Sequence, residues 1–317
     1  MALVLGLDGG ATKTTAMVLD TSTKEIIESV SGSSNYLDAG KEVAKKNINK
    51  LILSVIEKLK ESRCSEKIFF ESSCFGFSGC DQENDINLYK KIIFNSKLSN
   101  YINQNKAIIC NDSKIGLAAG SDNKNRVMVI CGTGSNCYGI NELGEEARVN
   151  GWDYILGDEG SAYSVAIKAL RAIMRAFDGR GDKTILSDIV LKNLGLSSEL
   201  ELVNWVYKDK ISKNDIAMVA SFVCNTANIG DQVSVKILKE ECNEAALTVS
   251  TAVDILMLND KDFDLVLVGS LFKCKKHFHN ILVNLLESKF KKINIKNLVK
   301  KPAKGAIKLA LENLNSK

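Results

Sequence analysis

Twice along this chain an apolar run is cut by glycine and threonine and then resumes, and this repeated pattern limits the fold more than any other feature. In the first instance Leu3, Val4, Leu5 and Leu7 lead into Asp8-Gly9-Gly10-Ala11-Thr12-Lys13-Thr14, after which Ala16, Met17, Val18 and Leu19 follow. In the second, Val127-Met128-Val129-Ile130 leads into Cys131-Gly132-Thr133-Gly134-Ser135-Asn136, with a further strand from Cys137 to Ile140 and a turn at Asn141-Glu142-Leu143-Gly144. Both read as β-hairpins with a glycine-rich turn. An ordinary tight hairpin explains either one alone. Two of them, each heading a run of like elements, favour a duplicated α/β fold of two domains.

Such turns suit an anion. Glycine lets the backbone approach closely, successive N–H groups form a nest, and in the first hairpin Thr12 and Thr14 add hydroxyl donors beside Lys13. Asp8, at the end of the first strand, is placed to hold a magnesium ion through water. Two other phosphate sites are excluded here. A Walker A loop needs Gly-x-x-x-x-Gly-Lys-Ser/Thr between a strand and a helix, and the dinucleotide fingerprint Gly-x-Gly-x-x-Gly is missing from this position. Phosphate, if bound, is bound by hairpins, and two of them can close on a nucleotide from both sides.

The intervening chain fits this plan. A third strand spans Glu25 to Val30, and Ser31-Gly32-Ser33-Ser34-Asn35 is a loop. Apolar residues at spacings of three and four mark an amphipathic helix from Lys41 to Lys60. A strand from Ile68 to Phe77 ends in Ser78-Gly79-Cys80-Asp81, a short helix covers Asp85 to Leu98, and a strand from Lys106 to Cys110 ends in Asn111-Asp112 before a helix opening at Ile115. Beyond the second hairpin, Gly151-Trp152-Asp153-Tyr154-Ile155-Leu156-Gly157-Asp158-Glu159-Gly160 combines aromatic rings with carboxylates, which is how proteins hold sugars, although such loops also serve as plain turns. Helices are expected at Val165 to Phe177, Ile185 to Leu194, Glu199 to Val206, Lys213 to Asn228 and Val233 to Leu258. A strand from Phe263 to Val268 runs into Gly269-Ser270, leaving little side chain in the way of a flat ligand. The expected domains are 1–117 and 118–317, with a last helix from Ala303 to Leu314 that can pack back on the first.

Composition narrows the class. The 317 residues are 45% hydrophobic, 25% charged and 6% aromatic, an ordinary globular profile. A net charge of +4, from 42 basic and 38 acidic residues, is too small and too spread to mark a nucleic-acid partner. The basic excess near Lys273–Lys276 and Lys289–Lys304 reads as solvated surface. The opening residues lack the basic and apolar regions of a signal peptide, and no apolar run reaches the ~18 residues of a membrane span, so a cytoplasmic location is expected. The nine cysteines sit mostly in apolar stretches without a Cys-x-x-Cys pair, pointing to buried reduced thiols. His277 and His279, in a basic stretch, are expected at the surface, which leaves histidine acid–base chemistry little support.

The motifs together resemble the N-acetylglucosamine kinase family, within the group of hexokinase, actin and Hsp70-like ATPases that includes the BadF/BadG/BcrA/BcrD type. The resemblance runs through Leu7-Asp8-Gly9-Gly10-Ala11-Thr12-Lys13-Thr14, Ser34-Asn35, Phe77-Ser78-Gly79-Cys80-Asp81, Asn111-Asp112, Gly132-Thr133-Gly134-Ser135-Asn136, Gly151-Trp152, Leu156 through Tyr163 and Val268-Gly269-Ser270, in the family's order. It implies two duplicated ribonuclease H-like domains around an interdomain cleft, and ATP-dependent 6-phosphorylation of N-acetylglucosamine or N-acetylmuramic acid with Mg²⁺. It also implies Asp112 as catalytic base, where the residues alone allow an Asx turn or helix cap. Asn35, Ser135, Asn136, Gly151, Trp152 and Asp158 fall at sugar positions. Thr12 and Thr133 fall at phosphate contacts beside Gly9, Gly10, Lys13 and Gly134, and Ala227, Gly269 and Ser270 near the base. Relatives are commonly dimers, which implies a homodimer. Ala11, Cys80 and Asp153-Tyr154 depart from the family pattern, and the last two leave the sugar open. Other readings are an ATPase activating a dehydratase or reductase, a glucosamine kinase, and a non-catalytic sugar-binding regulator.

Overall fold

The computed structural model describes residues 2–62, 68–95, 97–209 and 211–316. The chain divides into two compact units, one formed by 1–122 with 298–317 and the other by 123–297. The expected boundary after 117 falls inside a helix, and the chain parts instead after Asp122.

The first unit contains β1 (Leu3–Gly9), β2 (Lys13–Asp20), β3 (Ile26–Gly32), α1 (Tyr36–Ala39), α2 (Lys41–Ser62), β4 (Phe70–Phe77), α3 (Glu83–Phe94), β5 (Ala107–Asn111) and α4 (Asp112–Gly120). Its sheet order is β3-β2-β1-β4-β5. The β1–β2 and β2–β3 pairs are antiparallel, and the β1–β4 and β4–β5 pairs are parallel. Alternation along β1 sorts its side chains by face. Leu3, Leu5 and Leu7 join Ile48, Leu51, Ile52 and Val55 of α2 and Tyr89 and Ile93 of α3, whereas Val4 lies in a second cluster on the opposite side of the strand.

The second unit contains β6 (Arg126–Cys131), β7 (Ser135–Ile140), β8 (Glu146–Val149), α5 (Asp153–Leu156), α6 (Ala162–Phe177), α7 (Leu186–Leu194), α8 (Glu199–Tyr207), α9 (Lys213–Ala217), α10 (Val219–Asn228), α11 (Gln232–Ile255), β9 (Phe263–Val268), α12 (Asn280–Lys289) and β10 (Ile293–Asn297). Its sheet order, β10-β9-β6-β7-β8, repeats the first topology strand for strand: two antiparallel pairs on one side of the leading strand, two parallel pairs on the other. This is the duplicated α/β architecture that the paired hairpins imply.

Three differences from the sequence expectations have physical causes. The strands β8 and β10 were not foreseen because they are short, outermost in the sheet and largely polar, and β10 has no fully buried residue. The helix expected from Lys213 to Asn228 is interrupted at Met218, dividing α9 from α10. His277 is buried, not at the surface, because a π-type turn at Lys275–His279 folds inward while Lys275 and Lys276 stay exposed. Burial, helped by Lys276, lowers the pKa of its ring.

The cysteine expectation also needs correction. Cys224 of α10 and Cys274 form a disulfide across Cα atoms 5.8 Å apart. These partners are 50 residues apart in the chain and meet only through the tertiary fold. Cys74, Cys80, Cys110, Cys131, Cys137 and Cys242 are free and buried as expected, and Cys64 lies outside the described residues. Among the described residues no helix is long and apolar enough to cross a membrane.

The final helix, α13 (Pro302–Asn315), carries proline in its first turn and belongs to the first unit. Ala303, Ala306, Ile307 and Ala310 pack with Val4, Met17, Ile115 and Ala118. The approach to α4 is close enough that a Cβ on Gly305 would lie 1.9 Å from the Ile115 carbonyl oxygen and 2.6 Å from the Ala119 nitrogen. Backbone cannot rotate away as a side chain can. Gly305→Ala is therefore expected to destabilise the first unit by about 3 kcal/mol, at the upper end of overpacking costs. Urea denaturation reads this directly, and an unchanged midpoint would refute the tight α13–α4 contact.

Candidate active site

In the first unit the loops that follow β1, β3, β4 and β5 are tied to one another. The Gly9 carbonyl accepts from Ser78 N at 2.8 Å, and the Gly10 carbonyl from Ser34 N at 3.3 Å. A Cβ at Gly9 would lie 2.4 Å from both the Phe77 ring and Ser34 Oγ, so glycine is required by space alone. The Ser34 carbonyl accepts from the buried Tyr89 hydroxyl at 2.9 Å, and Tyr89 stacks on Phe77 with ring centroids 3.8 Å apart.

Asn35 is buried and caps α1. Its Oδ1 accepts from Leu37 N at 2.9 Å and its Nδ2 donates to Asp38 at 2.8 Å. Thr12 and Lys13 are exposed on the first hairpin. Thr14 does not share the donor role expected of it, because its buried hydroxyl donates to the Gly32 carbonyl of β3 at 2.8 Å. The side chain of Thr14 lies on the inner face of β2, opposite to that of Lys13. Asp8 is half-buried, and burial raises its pKa above the usual carboxylate range while Lys13 opposes the shift.

Asp112 is the first residue of α4. The capping role belongs to Asn111, whose Oδ1 accepts from Ser113 N at 2.8 Å and whose Nδ2 donates to Asp81 at 2.7 Å. Asp112 thus sits half-exposed at the end of β5, beside an asparagine that does the work an Asx turn would otherwise ask of it.

The second unit gathers its candidates more tightly. Asp158 is 4% exposed, with φ of 65°. Its Oδ1 accepts from Ser135 N at 3.1 Å and its Oδ2 from Lys213 Nζ at 2.6 Å. The same oxygen would lie 2.9 Å from a Cβ at Gly134, which explains glycine there. Ser135 Oγ donates to the Glu159 carbonyl at 2.6 Å, and Asn150 Nδ2 contacts both groups. Asn150 Oδ1 in turn accepts from Gly151 N and Asp158 N. Asn136 packs beneath Gly151, where a Cβ would lie 3.0 Å from its Cγ. Trp152 is exposed, with the Arg148 guanidinium 4.8 Å from its ring centroid.

The Thr133 hydroxyl donates to Asn214 Oδ1 at 2.8 Å. Gly269, at φ 122°, lies against the Cys131–Gly132 backbone, where a Cβ would be 2.3 Å from the Cys131 carbonyl oxygen. Gly269 and Ser270 are exposed. Ala227 is buried in α10, the helix that the Cys224–Cys274 disulfide ties to the segment after Ser270.

Sequence reasoning missed four contributors: Asn150, Lys213, Asn214 and Glu241. None stands in a glycine-rich motif. Lys213 and Asn214 occupy a polar stretch that reads as a helix start, and Glu241 lies inside a long helix. Glu241 is fully buried, accepting from Gly160 N at 2.6 Å and Ser164 Oγ at 2.8 Å, with Lys168 Nζ 3.0 Å away.

Comparison with known proteins shows the family and the fold of the chain. The model of the BadF/BadG/BcrA/BcrD ATPase family matches residues 5–311. The chain is 34% identical over 312 residues to an N-acetylmuramic acid/N-acetylglucosamine kinase of Clostridium acetobutylicum, covering 98% of each. It is 32% identical over 317 residues to an N-acetyl-D-glucosamine kinase of Dictyostelium discoideum, again covering 98% of each. In fold it is similar to a Chromobacterium violaceum structure provisionally described as an N-acetylglucosamine kinase, with a TM-score of 0.71 at 17% identity over 98% of this chain and 99% of that one.

The Glu241 anchor generates a stability prediction. Glu241→Ala removes the acceptor for a buried N–H and a hydroxyl and opens a cavity, an expected cost of about 3 kcal/mol. Chemical denaturation measures it, and a loss below about 1 kcal/mol would show that the Gly160 turn is held by other contacts.

Proposed function

The chain belongs to the BadF/BadG/BcrA/BcrD ATPase family, and on that footing we propose that it transfers the γ-phosphoryl group of ATP to the 6-hydroxyl of an N-acetylated amino sugar, N-acetylglucosamine or N-acetylmuramic acid. Full-length similarity to sugar kinases supports the substrate class. The observation that carries the reading is the same glycine–threonine hairpin at the same place in two sheets of one topology.

Phosphoryl transfer asks a protein mainly for positioning and charge neutralisation. In the first unit, Gly9, Gly10, Thr12 and Lys13 are assigned to the phosphate oxygens, with the Thr12 hydroxyl and the Lys13 side chain as donors and the Gly10 N–H closing the turn on the Lys13 carbonyl. Thr133 and Gly134 are assigned to the phosphates in the second, where the Thr133 hydroxyl is itself anchored to Asn214. Ala227, Gly269 and Ser270 are assigned to the nucleotide base, the disulfide holding their two segments together. Asp8 fits a magnesium ion: a half-buried carboxylate at a strand end beside phosphate-binding glycines matches the one-carboxylate, water-mediated mode of Mg²⁺. Such an ion, when bound, neutralises charge on the phosphates.

Asn35, Ser135, Asn136, Gly151, Trp152 and Asp158 are assigned to the sugar. Asp158, a hydrogen-bond acceptor, suits hydroxyl donors, and the exposed indole of Trp152 suits the apolar face of a sugar ring. Asp112 is the general base. It takes the 6-hydroxyl proton as that oxygen forms its bond to the γ-phosphorus and the bond from γ-phosphorus to the bridging oxygen breaks, releasing ADP. A cytoplasmic location, where ATP is supplied, and a homodimer complete the proposal.

A coupled ADP-release assay over N-acetylglucosamine, N-acetylmuramic acid, N-acetylmannosamine, glucosamine and glucose, with a sugar-free control, tests the reaction class. Release that requires an N-acetylated sugar is expected, whereas equal release without sugar would point to the activator-type ATPase. Asp112→Asn should lower kcat by about 10²- to 10⁴-fold while sugar binding, read by calorimetry, is largely kept. Near-normal turnover would remove Asp112 from the mechanism. Trp152→Ala should raise the sugar KM more than it lowers kcat, and a change confined to the ATP KM would move Trp152 out of the sugar site.

A further inference from the structure

One short turn of the second unit touches both halves of its candidate chemistry. Ser212 caps α9 in a closed box: its Oγ accepts from Asp215 N at 3.1 Å, and Asp215 Oδ2 accepts from Ser212 N at 2.9 Å. That box fixes the two residues inside it. Lys213 reaches Asp158 Oδ2 at 2.6 Å and Asp153 Oδ1 at 2.5 Å. Its neighbour Asn214 accepts from the Thr133 hydroxyl at 2.8 Å.

The two acids are unequal. The Asp158 side chain is 6% exposed and that of Asp153 is 68% exposed. A buried carboxylate needs a partner that offsets its lost hydration, so Asp158 depends on the ammonium in a way Asp153 does not. A carboxylate held in place accepts hydrogen bonds, which is what sugar hydroxyls need. The ammonium also lies 5.6 Å and 5.9 Å from the ring centroids of Tyr154 and Tyr163, within reach of both rings as well as both acids.

We propose that Lys213 is a positioning residue for phosphoryl transfer, holding the Asp158 carboxylate as an acceptor for the sugar, and that Asn214 on the same turn anchors Thr133, accepting the hydrogen bond of its hydroxyl and so fixing the turn of the phosphate hairpin. One capped turn thereby aligns the acceptor loop with the phosphate hairpin. The inference rests on the kinase reading above and extends it to residues outside every recognisable motif.

Steady-state kinetics of the full chain separate the two roles. Lys213→Met is expected to raise the KM for N-acetylglucosamine about tenfold or more, with kcat changed by less than about threefold. Lys213→Arg, which keeps a cation able to span two carboxylates, should recover most of the loss. Asn214→Ala should split the other way, raising the ATP KM by about threefold while the sugar KM stays within about twofold. Should Lys213→Met fail to fold, Lys213→Gln, which keeps a donor without the charge, takes its place with the same expected split.

A sugar KM within about twofold of the parent in the uncharged variant would overturn the proposal. So would equal losses in both KM values and kcat for the position 213 and 214 variants, because that is the mark of a merely structural turn. A parent enzyme that releases no ADP in response to any amino sugar would instead overturn the kinase reading itself.

Discussion

The leading strand of each sheet, β1 in one unit and β6 in the other, is hydrogen-bonded along both edges and buried along most of its length. A strand so enclosed must satisfy every backbone group within the sheet, so it ends cleanly and hands the chain to a loop at its C-terminal end. The antiparallel partner on one side requires that loop to be a tight turn, and the parallel partner on the other brings a second strand end beside it. The Gly9–Gly10 and Gly132–Gly134 turns and the Ser78 and Gly269 strand ends follow from this single arrangement, and β5 adds Asp112 one strand further out. Open α/β sheets generally carry ligands at the carboxyl ends of their strands for the same reason.

Around those strand ends the second unit concentrates charge where little water reaches. Asp158 and Glu241 are both buried carboxylates, and each is met by a backbone N–H and a lysine. Glu241 holds the loop between Asn150 and Ser164 from α11, and Asp158, within that loop, ties it to the hairpin through Ser135 N. Left-handed backbone at Asn150, Asp153 and Asp158 fits the same picture. Such conformations cost of order 1–3 kcal/mol each and persist when surrounding contacts over-determine them.

Much of this was legible in the residues. The apolar–glycine–apolar pattern reports both hairpins, and the spacing of Ala44 through Leu59 reports α2, with Val43 alone of that series exposed, because in each case one local periodicity coincides with one buried face. Asp112 was legible as the acid at a strand end, and the division of labour by which Asn111 takes the cap was not. Signals weakened wherever a contact joined distant segments. The Lys213–Asp158 pair, the Glu241 anchor and the Cys224–Cys274 bond are each 50 or more residues apart in the chain, and no local pattern announces them. His277 was misread because its lysine neighbours describe the outer side of a turn whose inner side holds the ring. The edge strands β8 and β10 escaped notice because a strand with little burial has little reason to be apolar.

The return of α13 to the first unit has a consequence for how the protein is made. The second unit is one uninterrupted stretch of chain, whereas the first is assembled from 1–122 and 298–317, separated by all of its partner. As the chain leaves the ribosome, the sheet of the first unit emerges early but waits for α13, with the apolar surface around Val4, Met17 and Ile115 uncovered throughout. The second unit can complete its core in that interval. Synthesis order and folding order are therefore reversed for the two halves, and a nascent chain cut short anywhere before Pro302 presents an unsealed sheet to chaperones and proteases.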